Sequence, residues 1–267
     1  PHISSKQINE FTIGFPTLPE QQKISSFLSS VDEKLTQLKR KKELLAQYKK
    51  GVMQQLFPSG DGQVPKLRFK DENGKEFPKW EEKRLDEVAN FRRGSFPQPY
   101  GLAKWFDEIN GLPFVQVYDV DDNMLLKPIT KTRISKLAAD KSVFVKEGTL
   151  VITIQGSIGR IAKTQYDTYV DRTLLIFQSY KEAIDVDYFK YVVSLLFEIE
   201  KTKAPGGTIK TITKEALSSF KIMLPQIEEQ KKIADYFSSI DTKIQSINTQ
   251  ISQTQSFKKG LLQQMFV

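Results

Sequence analysis

The chain has 267 residues, 39% of them hydrophobic and 18 of them Phe, enough for one large or two modest domains with a real core. A net charge of +8 admits a polyanion as partner. The absence of cysteine excludes disulfide scaffolds, thiolate metal sites and Cys nucleophiles, and the single His2 excludes His-based metal clusters and most hydrolytic triads.

No apolar run approaches membrane length and no signal peptide is visible, so a soluble, cytoplasmic protein without a cofactor is expected. The chain opens at Pro1-His2 without Met, and we read residues 1–19 as the end of a preceding domain or a linker. Pro16 and Pro19 close an extended stretch, and Glu20 puts negative charge at the positive end of a helix predicted over 20–57. Ile24, Phe27, Val31, Leu35, Leu38, Lys42, Leu45, Tyr48, Val52 and Leu56 form a single stripe at steps of three and four. At 1.5 Å per residue such a helix is roughly 55 Å long, and its narrow stripe requires a partner helix. Its run Lys39-Arg40-Lys41-Lys42 reads as a solvated helix face or as a DNA contact.

Phe57-Pro58-Ser59-Gly60 stops this helix and opens a segment, 58–225, of different character. Glu82–Ala89 is predicted as a short helix. The stretch Phe91–Gly101 holds two Pro and two Gly and is predicted to be irregular. It offers Arg92, Arg93, Ser95, Gln98 and Tyr100, types suited to phosphate and base-edge contacts, although inward packing of its aromatics is an equal reading. Pro113–Val120 alternates as a strand that places Gln116 and Tyr118 on one face. The acidic run Asp119–Asp122 lacks a partner cluster and reads as a turn rather than a metal site.

Ile134–Ala139 is predicted helical, and Val143–Val145, Leu150–Ile154, Ile158–Thr164 and Thr173–Gln178 as strands. Gln155-Gly156-Ser157-Ile158-Gly159-Arg160 is a Gly-rich turn whose amides can approach a phosphate. It is not a P-loop, because no Gly-Lys-Ser/Thr follows, and a plain hairpin is its alternative reading. Val186–Glu200 is an amphipathic helix on Phe189, Val192, Val193, Leu196 and Phe197. Lys201–Lys214 carries four Lys and no acid, a cationic patch or a solvated linker.

The second long helix, 226–267, repeats the first. Residues 15–57 shifted by 209 positions lie on 224–266 without a gap, with Pro16 on Pro225, Gln21 on Gln230, Ile24 on Ile233 and Asp32 on Asp241. Its stripe is Ile233, Tyr236, Ile240, Ile244, Ile247, Ile251, Thr254, Phe257, Leu261 and Met265. One helix enters the middle segment and the other leaves it, so the two must run antiparallel if they pack together. The expected fold is α+β: a mixed globular domain and two long antiparallel helices forming a coiled-coil spacer. At 3.4 Å per base pair a 55 Å rod spans roughly 16 base pairs.

These residues resemble a known family. Leu18-Pro19-Glu20-Gln21-Gln22-Lys23-Ile24 and Leu224-Pro225 with Glu229-Gln230-Lys231-Lys232-Ile233 are similar to the conserved region of type I restriction–modification specificity subunits. Gly148-Thr149-Leu150, the GSIGR turn and Gly206-Gly207-Thr208-Ile209 are similar to a target recognition domain. The resemblance implies a non-catalytic subunit that reads one half of a bipartite site on double-stranded DNA. Its partners would be methyltransferase subunits docked on the helices and motor/nuclease subunits in the complex. It implies two recognition domains, of which this chain would hold the second and not the first, so that a complete bipartite site would be read by a homodimer formed through the helices. The expected DNA contacts are Arg92, Arg93, Gln98, Gln116 and Gln155 toward bases, and Ser157, Arg160, Lys203, Thr208 and Lys210 toward phosphates. Ser95, Tyr100, Tyr118 and Lys163 complete the set. Gln21, Gln22, Gln54, Gln55, Gln230, Gln263 and Gln264 are expected to face catalytic partners.

The competing functions are a catalytic nuclease or methyltransferase and a structural coiled-coil adaptor. The first lacks an Asn/Asp-Pro-Pro-Tyr/Phe motif and a Gly-rich cofactor loop after a strand. The second leaves the Arg92-Arg93, GSIGR and Lys201–Lys214 features without a role.

Overall fold

A computed structural model describes residues 14–58, 65–203 and 214–266. The chain is α+β and divides into two compact units, Pro1–Tyr48 with Thr242–Val267, and Lys49–Asp241. The long helices α1 (Leu18–Leu56) and α6 (Ile227–Phe266) contribute to both.

Each helix starts with the same device. Gln21 donates its amide to the Pro16 carbonyl at 2.8 Å, and Gln230 donates to the Pro225 carbonyl at 2.9 Å. The backbone ladders open with Gln21 N on the Thr17 carbonyl and Gln230 N on the Gln226 carbonyl, so the proline carbonyl one residue earlier lies outside the ladder and the glutamine side chain takes it up. In the first unit Val31, Leu35 and Ile247 of the expected stripe are buried, and Phe27 meets Phe257 edge-on at 6.4 Å. Lys258 pairs with Asp32 there, and in the second unit Lys49 Nζ lies 2.5 Å from Asp241. Within the second unit, from Lys49 to Phe57 at the end of α1 the partners on α6 fall from Asp241 to Phe237, so the helix ends there run antiparallel. The 209-residue offset carries Lys49 onto Lys258 and Asp32 onto Asp241, so one contact of the repeat is made once in each unit.

Among the described residues the second unit holds three sheets. Strands β1 (Glu81–Arg84) and β10 (Lys221–Leu224) pair antiparallel, and β10 runs through Pro225-Gln226 directly into the start of α6. A four-stranded sheet has the order β2 (Ala89–Arg93), β9 (Leu174–Tyr180), β6 (Leu150–Thr153), β7 (Ile161–Lys163). A second has the order β4 (Thr132–Ile134), β3 (Leu112–Val115), β8 (Thr168–Val170), β5 (Val143–Val145), with β3 and β8 parallel. Val115, Val145 and Val170 of one sheet share a core with Val151, Ala162, Leu174 and Ile176 of the other. Short helices α2 (Leu85–Val88), α3 (Lys136–Ala139) and α5 (Lys214–Ser218) fill turns, and α4 (Val186–Lys203) buries Tyr188, Phe189, Val193 and Phe197.

An aromatic cluster fastens the helix ends to this unit. Phe57 stacks on Phe237 at 5.8 Å and meets Tyr188 at 5.8 Å, while Trp80 meets Tyr188 edge-on at 6.3 Å. Glu229, 0% exposed, accepts from Arg68 Nε at 3.1 Å, from Arg68 Nη2 at 2.6 Å and from Trp80 Nε1 at 2.9 Å. A buried carboxylate needs such saturation, because desolvation of an unpaired one costs several kcal/mol.

Several local expectations change. Only Leu85–Val88 of the predicted Glu82–Ala89 helix is helical, because β10 takes the preceding residues and β9 the following ones as strands. Phe91, Arg92 and Arg93 are not irregular: they pair with Phe177, Ile176 and Leu175, and the irregular path starts at Gly94. A Cβ on Gly94 would sit 2.2 Å from the Val170 carbonyl oxygen, so no other residue fits. The strand predicted over Pro113–Val120 ends at Val115, because the Asp119 carboxylate accepts from Gln116 N at 2.9 Å and curls Val117–Asp119 into a 3₁₀ turn. Thr132–Ile134 is a strand, and Ser135 caps the helix after it. The strand predicted over Ile158–Thr164 is confined to Ile161–Lys163, and Thr168–Val170 was not anticipated as a strand.

Candidate nucleic-acid interface

Three loops hang from these sheets: 94–101 after β2, 116–122 after β3 and 155–160 between β6 and β7. Backbone bonds converge them. Ser95 N donates to the Val170 carbonyl at 3.0 Å and Asp171 N to the Val115 carbonyl at 3.0 Å, so the ends of β2, β3 and β8 meet.

Tyr100, Gln116 and Tyr118 come together with Thr132. The Gln116 amide donates to Tyr100 Oη, and its oxygen accepts from Tyr118 Oη and, at 2.8 Å, from Thr132 Oγ1. Tyr118 Oη and Thr132 Oγ1 are 2.9 Å apart. Both tyrosines are 38% exposed and each ring carries a cation: Arg172 lies 5.6 Å from the Tyr100 ring centre and Lys131 Nζ 4.9 Å from that of Tyr118. Beneath them Asp171 is buried, with one carboxylate oxygen held by Thr173 and the other without a hydrogen-bond partner among the described residues. Burial, then the Asp171 charge, push the Tyr100 hydroxyl up to about 12, and burial raises that of Tyr118. Both therefore stay protonated donors at neutral pH.

The GSIGR turn is built for a tight path. Thr153 Oγ1 donates to the Ser157 carbonyl and accepts from Arg160 N at 3.0 Å. Gly159 has φ +84°, and a Cβ there would lie 2.9 Å from the Phe197 ring, so both the backbone and the packing demand glycine. A Cβ on Gly156 would touch Val117 at 3.5 Å, and Arg160 Nε lies 3.0 Å from Asp122. The turn therefore adjoins the 116–122 loop. Gln155 and Ser157 are exposed at its tip, while Arg160 is shared with Asp122 and with the Val120 carbonyl at 3.5 Å.

The remaining expected residues scatter. Arg92 and Arg93 are exposed on edge strand β2, where Arg92 lines an open cavity with Asn90, Gln178 and Lys181. Gln98 is exposed and accepts from Tyr100 N at 3.2 Å across a cis Gln98–Pro99 bond. The Ser95 hydroxyl is used internally, on the Lys141 carbonyl at 3.2 Å. Lys163 is held by Asp187 at 2.6 Å, and Asp187 also holds Lys190 at 3.0 Å. Thr208 and Lys210 lie outside the described residues, as does the side chain of Lys203.

Among the expected partner residues, Gln21, Gln22, Gln54, Gln55, Gln263 and Gln264 are exposed. Gln230 corrects the expectation. It is 1% exposed, its oxygen accepts from Asp185 N at 2.9 Å, and its amide donates to Pro225 and, at 3.2 Å, to Ala183. Three of its four polar valences serve the fold and the side chain is buried, so Gln230 does not face a partner.

Arg172, Lys131, Thr132 and Asp171 were missed. Arg172 and Asp171 follow β8, and only the parallel β3–β8 pairing, which no local pattern announces, brings them to Gln116.

Among the described residues no helix is long and apolar enough to cross a membrane and no group of His, Asp or Glu could hold a metal ion. Residues 1–46 and 78–254 match the family model described as the type I restriction modification DNA specificity domain. The MjaVIII type I restriction enzyme specificity subunit of Methanocaldococcus jannaschii is 27% identical over 276 residues, covering 98% of this chain and 63% of that protein. The solved HsdS subunit of Thermoanaerobacter tengcongensis superposes with a TM-score of 0.60 at 20% identity, over 100% of this chain and 63% of that one. The S subunit of M. genitalium superposes with a TM-score of 0.64 at 17% identity, over 99% and 66%. The chain thus spans a little under two thirds of the length of these relatives. With the family model matched over most of the sequence, on both helix starts and the domain between them, the chain belongs to the type I restriction modification DNA specificity domain family.

Proposed function

We propose that this chain is a DNA sequence-recognition module of a type I restriction–modification enzyme and has no catalytic role of its own. Residues 58–225 form its target recognition domain and read one half of a bipartite site. Helices 20–57 and 226–267 set the distance to the other half and dock methyltransferase subunits, through which motor/nuclease subunits join.

The observation that carries this reading is the Tyr100–Gln116–Tyr118–Thr132 cluster, with Arg172 and Lys131 on its rings and the GSIGR turn beside it. Half-exposed hydroxyls and an amide framed by cations are suited to base edges between phosphates. Exposed Arg92 and Arg93 add guanidinia on the same domain.

The test is a gel-shift series over salt with the assembled complex and its mapped target. Replacing Arg92, Arg93 and Arg160 together by Ala is expected to weaken binding and to flatten the salt slope by about 0.9 per lost phosphate contact. Full affinity and specificity in that variant would defeat the reading and leave a coiled-coil adaptor. A chain whose specificity is unchanged by methyltransferase subunits would defeat the docking role of the helices.

A further inference from the structure

A free glutamine amide suits adenine because it donates and accepts at once. Gln116 cannot do so. Its oxygen already accepts from the hydroxyls of Tyr118 and Thr132, which fills both lone pairs. One amide hydrogen goes to Tyr100 Oη, and the other meets no acceptor among the described residues. Tyr100 Oη receives that bond, so its own hydrogen points elsewhere. It does not go to Asp171, whose free oxygen has no hydrogen-bond partner among the described residues. What remains is one N–H and one O–H, side by side on two residues joined by a hydrogen bond. Tyr100 is exposed at this surface, and the Arg172 guanidinium on its ring adds positive potential.

In the major groove guanine alone offers two adjacent acceptors, N7 and O6, on one base edge, whereas adenine and cytosine each present an amino donor. From this geometry we infer that Tyr100 and Gln116 form a donor-only edge that selects guanine at one position of the half-site read by this domain. The inference rests on the DNA-reading role proposed above. Thr132 and Tyr118 are positioning residues: their hydroxyls hold the amide with its nitrogen toward Tyr100. The shift of the Tyr100 hydroxyl to about 12 keeps that donor protonated over the working pH range.

The experiment uses the assembled methyltransferase. Its target is mapped by sequencing methylated DNA from cells carrying the system. Each guanine of the half-site is then replaced by 7-deazaguanine, which lacks the N7 acceptor, and Kd is measured. One position is expected to lose about tenfold or more with the natural chain and under about twofold with Tyr100→Phe. Phe keeps the ring packed on Phe96 and Phe106. Should Tyr100→Phe lower the melting temperature, Gln116→Glu replaces it, because Glu retains the acceptor for Tyr118 and Thr132 but loses the N–H. Equal sensitivity of natural and variant chains at every guanine would overturn the inference. So would a half-site without guanine on either strand, or a Tyr100→Phe loss uniform across sequences, the mark of a phosphate contact. A mapped target that does not change when residues 58–225 are exchanged for those of another family member would instead overturn the DNA-reading role itself.

Discussion

Glu20 and Glu229 hold the same position in the repeat, as do Gln21 and Gln230, yet the first pair is exposed and the second buried. The two glutamines make the same bond, each to the carbonyl of the proline five residues before it. Beyond that bond they part. Gln230 also joins Asp185 and Ala183, and Glu229 takes Arg68 and Trp80. The ion pairs differ in the same sense. Lys49–Asp241 has side chains 15% and 31% exposed and is joined by the Tyr191 hydroxyl at 2.7 Å, whereas Lys258–Asp32 has side chains 28% and 54% exposed. One sequence element therefore has an intrinsic part, the helix start, and an elective part that becomes structural only where a globular domain covers it.

Substitutions at equivalent positions should expose this difference. The largest effect is expected at Glu229. Glu229→Ala leaves the Arg68 guanidinium without its partner and should cost about 3–5 kcal/mol, whereas Glu20→Ala should stay within about 0.5 kcal/mol. Urea unfolding of both variants measures it, and equal costs would erase the distinction between the two copies.

Gln230→Ala removes three buried hydrogen bonds and strands Asp185 N, for about 1–3 kcal/mol, while Gln21→Ala loses one exposed cap bond and about 0.5–1 kcal/mol. Thermal melts at matched concentration rank the two.

A smaller contrast is expected between Asp241→Asn and Asp32→Asn. The first leaves Lys49 charged and largely buried, where burial already lowers its pKa, at about 1–2 kcal/mol. The second breaks an exposed pair worth no more than about 1 kcal/mol. Raising salt to 1 M should shrink the Asp32 effect more than the Asp241 effect.

The smallest effect is spectroscopic. Tyr100 has its pKa raised in the folded state, so its contribution to stability is complete below about pH 10 and lost as pH rises toward 12. The difference in phenolate absorbance between the natural chain and Tyr100→Phe should therefore stay flat through pH 10 and rise only near 12. A rise centred at 10 would place Tyr100 in open solvent.

Much of the architecture was legible because it rests on periodicity. The apolar stripe at steps of three and four carries Val31, Leu35 and Ile247 into the helix pair. The two prolines and the glutamine five residues after each mark both helix starts without reference to anything distant. Short strands with continuous apolar runs, such as Leu150–Thr153, were also visible. Boundaries failed where one side chain ended a strand, as Asp119 does after Val115 by capturing Gln116 N.

The candidate site was half legible. Tyr100, Gln116 and Tyr118 stood out by type, but a free glutamine amide suits adenine, and the hydrogen bonds Gln116 makes remove that option. Arg172 and Asp171 could not be found at all, since they lie 56 and 55 positions from Gln116 and reach it only through the β3–β8 pairing.

By itself, then, the sequence determined a repeated helix with a built-in start, a mixed domain between its copies, and membership in a family whose motifs recur at both helix starts. These follow from contacts within a few residues, where spacing alone dictates which groups can meet. Only the tertiary structure decided which copy of Glu-Gln is buried, which valence of Gln116 remains free, and which cations stand beside Tyr100 and Tyr118. Those outcomes depend on groups brought together across long chain separations, where the same residue becomes a buried anchor or an open contact according to what covers it.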